Sequence, residues 1–84
     1  MQKKIRFERL REFLLSLDFT EDLHATHIVF RHSSGRPVIV LPDLKRNDVV
    51  SPIHLLMVKK QLSDAGLLDT EEFQLRMQEV ATAD

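Results

Sequence analysis

The sequence predicts a small α+β domain with helices on one face of an antiparallel sheet, in the order α-β-β-β-α-α. Three observations lead there. Apolar residues first recur at helical spacing, then give way to short β-branched runs, then return to helical spacing. Glycine, proline and small polar residues stand at the switches. The chain has 84 residues, enough for one domain (1–84) whose core is necessarily small.

The first helix is expected from about Lys3 to Leu17. Leu10, Phe13, Leu14 and Leu17 fall at i, i+3, i+4 and i+7 and form one apolar stripe. Lys3, Lys4, Arg6, Arg9 and Arg11 crowd the rest of its surface, with Glu8 and Glu12 as neighbours. From Phe19 the period changes. "FTEDL" reads as a short or edge strand, and "THIVFRH" and "PVIVL" as two strands around a turn. Gly35 supplies positive φ where that turn needs it, and Pro37 opens the second strand.

"PDLKRNDVVSP" is a polar connection. It ends in Ser51-Pro52, a cap serine and a proline at the first helical position. A helix from about Ile53 to Ala65 follows, and Gly66 stops it. Asp69 and Glu72 resemble a capping box that starts a last helix, with Phe73, Met77 and Val80 as its apolar stripe.

Composition narrows the function classes. There is no cysteine, so no disulfide and no thiolate metal site can be built; this fits a cytoplasmic protein. No apolar run approaches the roughly 20 residues of a membrane span, and the basic N-terminus lacks the apolar block of a signal peptide. Net charge is −1, but it is unevenly spread. Residues 1–60 hold eleven Lys/Arg against seven Asp/Glu; residues 61–84 hold one against six. That asymmetry suits a polyanion-facing part and a separate acidic part, or simply a mixed surface with an acidic last helix.

The central hairpin, "ATHIVFRHSSGRPVIVLP", can be read for facing. A two-residue loop at Ser34-Gly35 pairs Ser33 with Arg36, Phe30 with Ile39 and Ile28 with Leu41. Those four apolar residues then face the helices. His27, Val29, Arg31, Val38 and Val40 face away. Histidine suits proton transfer, because its ordinary pKa of about 6.5 lies near neutrality. Arg31 shares the face but lies about 13 Å along the strand, a reach that suits a neighbouring phosphate. A metal site is not expected. His24, His27 and His32 are oddly spaced, which on one continuous strand puts neighbours on opposite faces, and no HExxH pattern occurs.

The same hairpin, followed by a polar loop, a helix ending "LSDAGL" and then "EEF", resembles the HicA-type toxins, also called the YcfA-like family. Those proteins usually read Gly-Ser-His, a strand ending in Phe-Arg-His, a turn, a second strand ending in proline, and a helix closing in Ala-Gly-Leu. The likeness runs from about Leu10 to Phe73. It implies a double-stranded-RNA-binding-domain-like α-β-β-β-α fold, here with an extra C-terminal helix. It also implies a metal-independent endoribonuclease that acts on mRNA without a cofactor and is blocked by a HicB-like antitoxin. By the resemblance His27 takes the catalytic histidine's place, Thr26 the preceding serine's, and Arg31 and His32 the end of the strand. Ala25 stands where the family has glycine, so a positive φ there would be strained. Leu44 stands where many members carry a second histidine, and Ser51-Pro52 replaces a Gly-Thr pair.

Three functions follow as expectations. One is RNA cleavage with His27 as general acid or base. The second is RNA binding without cleavage, through Lys3, Lys4, Arg6, Arg9, Arg11, Arg31, Lys45 and Arg46. The third is a protein interface at Val29, Val38 and Val40, covered by a HicB-like partner, by a homodimer contact or by the last helix.

Overall fold

The computed structural model describes residues 3–80 and 82–83. Its elements are β1 (Lys3–Lys4), α1 (Phe7–Ser16), β2 (Phe19–Leu23), β3 (His27–His32), β4 (Val38–Pro42), α2 (Pro52–Asp64), α3 (Thr70–Val80) and β5 (Thr82–Ala83). The expected α-β-β-β-α-α order is present, with a short strand added at each end. Among the described residues, no helix is long and apolar enough to cross a membrane.

The first helix starts four residues later than its pattern suggests, because the chain before it is held in an extended form. Lys3 and Lys4 pair antiparallel with Ala83 and Thr82. Arg6 bridges Val49, and the Val50 amide donates to the Ile5 carbonyl at 2.8 Å. A helix leaves its first amides without partners. Here no side chain caps α1; the 44–48 loop does so with backbone carbonyls. The Phe7 amide donates to Asp48 (2.8 Å) and the Glu8 amide to Arg46 (3.0 Å). At the other end Asp18 takes φ +70, and its amide donates to the Leu15 carbonyl.

Strands β2, β3 and β4 form an antiparallel sheet in that order, with β3 central and β2 at an edge. The register is as expected, with Ile28 opposite Leu41 and Phe30 opposite Ile39. The turn is not. It closes one residue earlier, where the Gly35 amide donates to the His32 carbonyl at 2.8 Å; the strands stop at His32 and Val38. Side chains hold this longer loop. His32 Nδ1 lies 2.9 Å from Ser34 Oγ, and Ser34 Oγ donates to the Arg36 carbonyl. Gly35 has the expected positive φ, +96.

One face of the sheet supplies Phe19, Ile28, Phe30, Ile39 and Leu41 to a single core. Phe7, Leu10 and Leu14 of α1, Val58 and Leu62 of α2, Phe73 and Met77 of α3, and Ile5 and Val50 from the paired segments flanking α1 and α2 complete it. Phe13 meets Phe73 edge-on at 5.9 Å, which fixes α3 on the helical side. The last helix therefore does not cover the valine face. The Val80 side chain lies outside the described residues.

The helix ends show where local signals were followed. Pro52 occupies the first turn of α2, one residue before the expected start, but Ser51 makes no side-chain cap. Past its C-terminus, Gly66 at φ +73 donates to the Ser63 carbonyl and Leu67 donates to Leu62. Those two bonds make a Schellman motif. At α3 only half the capping box forms. Asp69 Oδ1 accepts from the Glu72 amide at 2.7 Å, while the Glu72 carboxylate turns to Arg76 at 3.0 Å.

Candidate functional site on the open face of the sheet

Strand alternation decides what the uncovered face carries. Thr20 and Asp22 come from β2, His27, Val29 and Arg31 from β3, and Val38, Val40 and Pro42 from β4. Among the described residues the core contributions of the helices lie on the other side, and α2 meets β4 at the Val38 end, where Gln61 donates to the Val38 carbonyl at 3.3 Å. His27 is half-buried and Arg31 is exposed. Val29, at the centre, is only 8% exposed, because its cross-strand neighbours Asp22 and Val40 flank it on both sides. It drops out of the surface a partner could touch, leaving half-buried Val38 and Val40, which is 50% exposed.

His27 begins β3 opposite Pro42. Its Nδ1 lies 3.1 Å from Thr26 Oγ1, so the neighbouring hydroxyl engages one ring nitrogen and leaves Nε2 for a ligand. The β2–β3 turn needs no positive φ at Ala25. Among the described residues the non-glycine residue with positive φ is Asp18. Alanine in place of glycine therefore strains nothing here.

A second imidazole joins the first. His24 and His27 stack face to face, with centroids 4.8 Å apart and planes 12° from parallel. The odd-spacing rule fails for this pair because they do not lie on one strand. They flank the two-residue turn Ala25-Thr26, and the His24 amide donates to the His27 carbonyl at 2.9 Å. Residues facing each other across a hairpin share a face whatever their spacing. The clue was available: "LHATHI" reads as two strands closed by two residues, once "FTEDL" is paired with "HIVFRH" as a hairpin. His32 obeys parity; it lies on the core side, with its ring edge-on to Phe19 at 5.1 Å. Among the described residues no three histidine or acidic side chains converge on a common point.

The basic residues are not brought to one surface. Arg31 is on the open face. Arg6 donates to the Asn47 carbonyl at 2.9 Å, which places it with Lys45 and Arg46 at the start of α1. Lys4, two residues earlier, is exposed. The Lys3 side chain lies outside the described residues. Arg9 pairs with Glu12 at 3.5 Å on the exposed side of α1. Arg11 points inward to Glu21, 2.8 Å away, and braces helix to sheet. Leu44, in the position where the resemblance suggests a histidine, packs against the core.

Three surface hollows of about 440, 480 and 520 Å³ lie away from this face's histidine end. The last, by the β3–β4 loop, includes Pro37, Val38 and Gln61. None of these three is lined by His27 or His24. Compared with protein-family models, curated proteins and solved structures, the chain matches none.

Proposed function

We propose that this protein is a HicA-like toxin of a toxin–antitoxin pair, a metal-independent endoribonuclease that cleaves mRNA in the cytoplasm. A HicB-like antitoxin is the protein partner this reading implies. One observation carries it. The helices leave a sheet face open, and that face presents a histidine whose Nδ1 is engaged by Thr26, with an exposed arginine farther along the same strand. Cleavage through the ribose 2′-hydroxyl needs a group to move protons and cations to hold phosphates. His27 supplies the first. Arg31 supplies the second at a neighbouring phosphate.

The test is cleavage of a mixed mRNA pool in excess EDTA by the purified protein and by His27→Ala. The parent is expected to cleave, and the variant to lose about 10²- to 10⁴-fold, the usual worth of a general acid or base. Equal cleavage by both would exclude His27. In cells, growth arrest by the parent and its relief by His27→Ala is the matching outcome.

A second reading is favoured by Val40, half-exposed beside Val38. In it the face binds a protein, either a HicB-like antitoxin or a second copy of the chain, or it binds RNA without cutting it. A Val40→Lys protein that loses its partner or its dimer while RNA cleavage is absent in both forms would favour this second reading.

A further inference from the structure

We infer that His24 is the second proton-transfer group of the site, acting as the general acid to His27's general base. This inference rests on the ribonuclease reading above. RNA transesterification moves two protons at once. A base takes the proton from the 2′-hydroxyl as that oxygen bonds to phosphorus. The bond from phosphorus to the 5′-oxygen breaks, and an acid delivers a proton to the leaving oxygen. The products are a 2′,3′-cyclic phosphate and a 5′-hydroxyl. The two protons balance, and no metal, oxidant or further reactant is required.

The geometry distributes these roles. The two rings lie side by side at 4.8 Å and nearly parallel. That spacing is of the same order as the distance between the entering and leaving oxygens of an in-line displacement, so one phosphate can span both ring edges. His27 is half-buried and hydrogen-bonded to Thr26. With its proton on Nδ1, donated to Thr26 Oγ1, its Nε2 lone pair is the base, and the same hydroxyl oxygen steadies the ring once it is charged. His24 is exposed and makes no side-chain hydrogen bond among the described residues. Asp22 lies two residues back on the same face of the sheet. Arg31 is the cation farther along the face.

The experiment compares two substrates: RNA, and a ribonucleoside 3′-phosphodiester with a p-nitrophenyl leaving group, which departs without needing a proton. His24→Ala is expected to lose about 10²- to 10⁴-fold on RNA, the range for a lost acid, and to stay within a few-fold of the parent on the nitrophenyl ester. His24→Phe keeps a ring in the stack and removes its proton; it is expected to behave like His24→Ala. His27→Ala is expected to lose activity on both substrates. If His27→Ala is inactive while His24→Ala cleaves RNA like the parent, His24 is not the acid and the ribonuclease reading survives alone. Equal losses by His24→Ala on both substrates, or RNA cleavage restored by His24→Phe, likewise overturn the acid role. A parent that cleaves neither substrate, or a fully active His27→Ala, removes both ideas together. Far-UV circular dichroism confirms that each variant is folded before its rates are compared.

Discussion

Arg11 looks like one more surface cation in the sequence, and its replacement separates a bracing role from an RNA-binding one. Glu21 faces the helical layer from the edge strand β2, opposite Phe30. Its side chain is 14% exposed, and Arg11 Nε donates to it at 2.8 Å, with the arginine side chain 39% exposed. A hydrogen bond to a charged group contributes about 1.5–3 kcal/mol. The arginine's partial exposure lowers that through solvent screening, to about 1–2 kcal/mol. Arg11→Met keeps most of the apolar stem and leaves the carboxylate unpaired. For a chain of 84 residues, that loss lowers the midpoint of thermal unfolding by about 5–10 °C. Glu21→Met alone costs less, and the double variant recovers most of the loss, because the charge that needed a partner has gone. Thermal and urea unfolding followed by circular dichroism give the four stabilities of this cycle. RNA affinity measured against salt gives the second readout. Arg11→Met leaves its slope unchanged, whereas Arg31→Ala reduces it by about 0.7, the share of one single-strand phosphate contact. A loss below about 0.5 kcal/mol, the scatter of ordinary surface changes, would refute the bracing role. So would a salt slope that falls with Arg11→Met.

Two further changes test the helix ends. Gly66→Ala meets no atom within 4 Å of the new Cβ, so only its φ of +73 resists; the cost is about 1 kcal/mol in urea unfolding. Asp18 adopts the same left-handed form after α1, and Asp18→Gly is expected to stabilise by about 0.5 kcal/mol in the same assay, the relief of Cβ strain less glycine's greater unfolded freedom. If Gly66→Ala is neutral, the Schellman turn does not depend on the glycine.

Local signals were legible wherever one short stretch decides its own conformation. The β-branched runs of β3 and β4 and their alternation placed Phe30 opposite Ile39 and His27 away from the core, because a strand's side-chain period is fixed at two. Pro52, Gly66 and Asp69 marked the helix ends because each acts through its own backbone or the next turn. The exit from the first helix was less legible, since Asp18 stands where glycine is the usual signal.

Distant partners decided the rest. Lys3 and Lys4 belong to a helical run by pattern, yet they are extended, because pairing with Thr82 and Ala83 offers their backbone an alternative to the helix. Nothing near Arg11 in the chain announces Glu21. Only the packing of α1 on the sheet brings them together and turns a candidate phosphate contact into a brace. The candidate site divides the same way. His27 and its outward placement follow from alternation within one strand. The stack with His24 depends on the hairpin closing at Ala25-Thr26, and the openness of the face depends on all three helices choosing the other side. A sequence specifies which residues alternate. Whether an exposed histidine stands alone or in a pair is settled by what the folded chain sets beside it.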